Sequence, residues 1–98
     1  MQEAPNAKVY VKVDVGFDEL GRMLPHSLVW EDGTTYIIDR VSDVRQAAAM
    51  KAGGQGDRYT ISVQGKQSYL FFERSTNLSG CVLGRWFVER KNATREDR

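Results

Sequence analysis

Cysteine, histidine and proline are scarce in this chain of 98 residues: one Cys81, one His26 and two prolines. A single cysteine excludes an internal disulfide. One histidine and one cysteine cannot close a metal site of the usual nitrogen and sulfur ligands, so neither a metal nor any other cofactor is expected. No apolar run approaches the ~20 residues of a membrane-spanning helix, and none resembles the core of a signal peptide. An excess of charge of one sign is lacking too. Fourteen Lys and Arg stand against thirteen Asp and Glu, a net charge of +1, so no overall field draws the chain to nucleic acid or to an anionic membrane, and any anion site must be local. Together these absences point to a reduced, cytoplasmic setting. There is no internal repeat, and the length suits one domain with one modest core.

What the chain does contain is alternation. Val9, Val11, Val13 and Val15 interleave with Lys8, Tyr10, Lys12 and Asp14, the period-two pattern of a strand with one apolar face. Asp18-Glu19-Leu20-Gly21 supplies a reversal, and a second strand is read from about Met23 to Glu31, at an edge or bulged near Pro25, which has no N–H for a sheet ladder. Asp32-Gly33 predicts a two-residue type I′ hairpin. That register places Val29 opposite Tyr36, Leu28 opposite Ile37 and, continued, His26 opposite Asp39. Tyr59, Ile61 and Val63 begin another strand, and Gly65-Lys66 predicts a type II′ turn into Gln67–Glu73, with Tyr59, Ile61, Leu70 and Phe72 on one face and Thr60, Ser62, Tyr69 and Phe71 on the other. Gly84–Arg90 forms a last strand. The expected core draws on Val9, Val11, Val13, Leu28, Trp30, Ile37, Val41, Ile61, Val63, Leu70, Phe72, Trp86 and Val88.

Between the hairpins, residues 39–59 break the alternation and concentrate charge and glycine. Ser42 and the three alanines from Ala47 predict a helical turn or short helix ending at Gly53. The alternative reading is a strand continuing from Thr35 through a bulge to about Arg45. The fold class expected is therefore mainly β: a small antiparallel barrel or strongly bent sheet of five to six strands, SH3-like or similar, with at most one short helix near 43–52. Residues 1–7 and 91–98 read as disordered ends around a single domain at 8–90.

The runs Trp30-Glu31-Asp32-Gly33, Ile38-Asp39-Arg40-Val41, Asp43-Val44-Arg45, Lys51-Ala52-Gly53-Gly54, Arg58-Tyr59-Thr60, Tyr69-Leu70-Phe71 and Arg85-Trp86-Phe87-Val88-Glu89 resemble a family of short, uncharacterised bacterial proteins. The resemblance extends from Lys8 to Glu89, although the polar stretch Ser75–Gly80 is longer here. Some members are encoded beside error-prone DNA polymerases, so the resemblance implies a place in DNA metabolism. It implies no catalytic residue.

The chemistry on offer is that of binding. Gly53-Gly54-Gln55-Gly56 lacks the Lys-Ser/Thr ending of a nucleotide-binding loop. Gly53-Gly54-Gln55 also resembles the tripeptide at the tip of peptide-chain release factors, but its flanks do not continue that pattern. His26 with Asp39 is an acid–base pair without a placed nucleophile, so no enzyme activity is expected. Arg45, Lys51 and Arg58 are the cations expected to meet an anionic partner, oriented by Asp43 and Asp57, while Tyr69 and Phe71 are the rings expected to stack unpaired bases. The function expected is a non-enzymatic module binding single-stranded nucleic acid. The competing expectation is a protein-partner or homodimer interface, for which Tyr, Phe and Arg are equally suited.

Overall fold

In a computed structural model of the chain, residues 8–48, 55–75 and 82–89 are described. Seven strands follow one another: β1 Lys8–Phe17, β2 Met23–Val29, β3 Thr35–Ile37, β4 Arg40–Ala48, β5 Gln55–Val63, β6 Lys66–Arg74 and β7 Gly84–Glu89. They form one sheet in the order β3-β2-β1-β7-β6-β5-β4, and every neighbouring pair is antiparallel. The sheet curls into a half-barrel whose two edge strands are successive in the chain. Only Ile38 and Asp39 separate them. Ile38 N–H still donates to the His26 carbonyl of β2, whereas Asp39 N–H donates to the Ser62 carbonyl of β5, so the chain changes partners across one peptide and ties the two ends of the sheet together. None of the described residues is helical.

The concave side holds the main core. Leu28, Ile38, Tyr59, Ile61, Leu70, Phe72 and Trp86 are buried there, with Val11, Val13, Val15, Val41 and Val88 among the residues packed against them. Alternation explains most of this set, because β5 and β6 each send every second side chain inward. Tyr59 reaches across the half-barrel and donates its hydroxyl hydrogen to the Met23 carbonyl at 2.9 Å. Burial, then the nearby Asp57 carboxylate, raises the Tyr59 hydroxyl above its ordinary range.

Three local expectations are corrected. The β2–β3 connection is not a type I′ turn: Gly33 N–H donates to the Trp30 carbonyl, Trp30 N–H to the Thr34 carbonyl, and only Gly33 takes positive φ, at +89°. This is a three-residue loop with a glycine bulge, helped by the Asp32 carboxylate accepting from Thr34 N–H. Leu28 therefore faces Tyr36, not Ile37, and this slip of one residue reverses the side chains of β3. Ile37, expected in the core, is 64 % exposed. The same slip takes Asp39 away from His26, and its carboxylate instead accepts a long hydrogen bond from Gly65 N–H. Strand β2 accordingly ends at Val29, short of Glu31. Its bulge is where the proline predicted one: Asp14 pairs with Ser27 and Val15 with Pro25, leaving His26 as the extra residue.

The helix expected from Asp43 is replaced, as far as Ala48, by strand β4. Asp43 to Ala48 pair residue for residue with Thr60 to Gln55, after a bulge at Ser42. Alanine's helix preference is a few tenths of a kcal/mol per residue, which tertiary pairing overrides. Residues 49–54 lie outside the described residues, as do both termini and Cys81.

The β5–β6 turn is centred one residue earlier than expected. Gln64 and Gly65 both have positive φ, +53° and +80°, and Val63 pairs with Lys66, which defines a type I′ turn. The partner shift is two residues, so the faces stay as predicted. Gln64 has a conformation that asparagine and glycine tolerate better. Gln64→Asn is expected to stabilise the protein by about 0.5 kcal/mol, read as a raised urea midpoint with an unchanged slope.

Candidate nucleic-acid interface

The convex side of the sheet carries an unusual row. Across the sheet, Arg45 of β4 stands directly opposite Arg58 of β5, Arg58 opposite Phe71 of β6, Phe71 opposite Phe87 of β7, and Phe87 opposite Tyr10 of β1. The next row places Asp43, Thr60 and Tyr69 side by side. Strand alternation puts every one of these side chains on the same face. Four of the five residues singled out for binding in the sequence, Arg45, Arg58, Tyr69 and Phe71, therefore come together, and Lys51 lies outside the described residues.

Their roles differ. Phe71 is only 2 % exposed and stacks parallel on the fully buried Phe87, ring centroids 5.0 Å apart. It cannot offer a ring face to a base, and with Phe87 it forms a second, smaller core under the convex surface. Tyr69, 40 % exposed, does present itself. The Arg58 guanidinium lies over its ring at 4.6 Å, a cation–π arrangement that fixes both groups. Arg58 Nε is buried and has no hydrogen-bond partner, an unmet donor in a region where such donors are normally satisfied. Arg45 is exposed, and its Nε donates to the Asp43 carboxylate at 2.7 Å. Asp43 thus holds Arg45 by an ion pair within β4. Asp57 does not orient Arg58: it pairs with Arg74 at 2.9 Å.

Beside this patch lies a cluster that the sequence did not announce. Lys8 Nζ donates to Glu73 at 2.9 Å and the Tyr10 hydroxyl donates to the other carboxylate oxygen at 2.7 Å, joining β1 to β6 across β7. Lys8 Nζ also lies 4.8 Å from the Phe87 ring centroid, and the Arg85 guanidinium stacks over Tyr10 at 3.4 Å. The Lys8 hydrogen bond first, then that of Tyr10, holds the Glu73 carboxyl below its ordinary range, and the Glu73 hydrogen bond raises Lys8 above its own. Stability from Glu73 is consequently present above the unfolded carboxyl range and is lost as pH falls through the lowered folded value. Residues 63 to 65 positions apart make these contacts, so no local pattern could have revealed them.

Elsewhere, an apolar hollow of about 270 Å³ on the concave side is walled by Leu28, Trp30, Tyr36 and Ile61, among others. It has few polar groups with which to orient a ligand. Among the described residues no helix is long and apolar enough to cross a membrane. Compared with protein families, curated proteins and solved structures, the chain matches none of them.

Proposed function

We propose that the convex face of β4, β5 and β6 is a non-enzymatic binding surface for single-stranded nucleic acid, with Arg45 and Arg58 receiving a phosphate and Tyr69 stacking a base. The observation that carries this reading is the direct opposition of Arg45 and Arg58. Like charges facing one another across a strand pair destabilise the sheet, so the opposition of exposed Arg45 to half-buried Arg58 costs stability in the free protein and is relieved when an anion bridges it. The buried Arg58 Nε, which has no hydrogen-bond partner, adds to that cost. Tyr69 supplies the sequence-tolerant part, since every base has a π-face, and guanidinium planes stack on bases as well. The place in DNA metabolism that the sequence resemblance implies is compatible with this chemistry.

The test is fluorescence anisotropy of a labelled oligothymidylate of about 12 nucleotides, within the roughly 4–16 that one OB fold covers. Binding is expected at low salt, with log K falling linearly against log salt at a slope of about −0.7 per phosphate contacted. Arg58→Ala and Arg45→Ala are expected to weaken it by about tenfold each while leaving the melting temperature within a few degrees. Tyr69→Ala is expected to cost about 1–3 kcal/mol of binding. No binding by the unaltered protein at low salt rejects the proposal. Binding indifferent to salt and to both arginines moves the contact to another surface.

A further inference from the structure

The edge of the sheet formed by β4 has an unusual sequence symmetry. Among the described residues β4 pairs on one side only, with β5, so its other side presents unpaired backbone donors and acceptors. Natural sheets protect such edges with proline, charged side chains, lysine above all, short length or a bulge along the exposed run. Here the bulge is at Ser42, and from Asp43 to Ala48 the strand is regular, with neither proline nor lysine, and its two charges, Asp43 and Arg45, are of opposite sign and pair with one another within the chain. Val44, at its middle, is 47 % exposed, and Asp43 and Arg45 flank it.

We infer that a second copy of this chain docks edge to edge on β4, antiparallel about a two-fold axis at Val44. In a symmetric antiparallel pair, partners must share a face, so the axis has to fall on a residue. The choice among residues is then made by charge. An axis at Asp43 sets Asp43 against its own copy, and an axis at Arg45 does the same with two arginines. An axis at Val44 sets Val44 on Val44, and each Asp43 opposite Arg45 of the second copy, twice over. Ser42 and Gln46 are then opposite as well. Of these three axes only the one at Val44 avoids facing like charges, and it is the one that brings the exposed apolar residue to the centre. The result is a continuous sheet of fourteen strands, twice the seven of one chain, with the two convex faces side by side. The contact is short, well below the roughly 1,200 Å² of tight complexes, so the dimer is weak and forms in the upper micromolar range.

The inference does not depend on nucleic acid and is tested without it, by sedimentation velocity from about 1 μM to 1 mM. The unaltered protein is expected to pass from monomer to dimer over that range. Asp43→Arg and Arg45→Asp, each alone, are expected to weaken the dimer by about tenfold or more, since each sets like charges opposite one another twice. An equimolar mixture of the two variants is expected to dimerise again, because arginines at 43 and 45 of one chain then face aspartates at 45 and 43 of the other. In the unaltered protein, amide exchange of residues 43–46 is expected to slow as concentration rises. A monomer throughout the range, a dimer indifferent to both reversals, a mixture no more associated than its components, or exchange at 43–46 independent of concentration each overturns it.

Discussion

Trp86→Ala is expected to remove about 3–5 kcal/mol of stability and to lower the melting temperature by roughly 15 °C or more. Trp86 sits at the centre of the concave core, its ring 5.1 Å from Tyr59 and 4.9 Å from Phe72 by centroids, both tilted. Truncation forfeits the transfer of a large apolar surface, leaves a cavity that a curved sheet cannot collapse around, and removes two aromatic contacts. It also loosens Tyr59, whose hydroxyl joins β5 to the start of β2. A domain of this size has about 5–15 kcal/mol in hand, so the variant is marginal. Trp30 gives the contrast. It is half-buried at the rim of the apolar hollow, so Trp30→Ala is expected to cost clearly less than Trp86→Ala. Ile37→Ala, on an exposed residue, is expected to fall within about 0.5 kcal/mol of the unaltered protein. Urea unfolding followed by circular dichroism ranks the three. Equal losses for the two tryptophans, or a large one for Ile37, would contradict the arrangement of the core.

Phe87→Ala is expected to be nearly as damaging, about 3–5 kcal/mol, although Phe87 points away from the main core. It is wholly buried on the convex side, stacked on Phe71, met edge-on by Tyr10 at 6.0 Å and approached by Lys8. A residue in that position of an ordinary half-exposed sheet would be nearly free to change. Here the variant removes the support of Phe71 and, through it, of Arg58 in the same row and Tyr69 in the next. Both stability and oligonucleotide binding are therefore expected to fall together. In Arg58→Ala binding falls alone. Comparing the two variants in the same urea and anisotropy measurements separates a support from a contact. A Phe87→Ala protein as stable as the unaltered one would mean that the convex aromatic layer adds nothing to the fold.

The faces of β1, β5 and β6 were legible, and the registers between strands were not. Alternation placed Tyr59, Ile61, Leu70 and Phe72 inward and Thr60, Tyr69 and Phe71 outward, and the β5–β6 partner error of two residues left those faces untouched. At Asp32-Gly33 the error was a single residue, and that was enough to exchange Ile37 for Tyr36 and to separate His26 from Asp39. The difference lies in the turn: an Asp-Gly pair is compatible with both a two-residue and a three-residue loop, and only the pairing partners downstream choose between them. The exposed ring in the candidate site, Tyr69, and the buried one, Phe71, are two residues apart on one face. Local sequence cannot tell them apart, because what buries Phe71 includes Phe87, on another strand.

The sequence by itself determined a β domain, the inward and outward faces of β1, β5 and β6, an edge or a bulge at Pro25, and the candidacy of Arg45, Arg58 and Tyr69. These follow from side-chain period, from proline's missing N–H and from residue chemistry, all of which act over a few residues. The tertiary structure decided that the stretch after Asp39 is a strand despite its alanines, that Arg45 and Arg58 oppose one another, that Lys8, Tyr10 and Glu73 meet, and that a second aromatic layer lies under the convex face. Each of these depends on which distant strand lies alongside, and pairing between segments far apart in the chain is settled by the curvature and closure of the whole sheet.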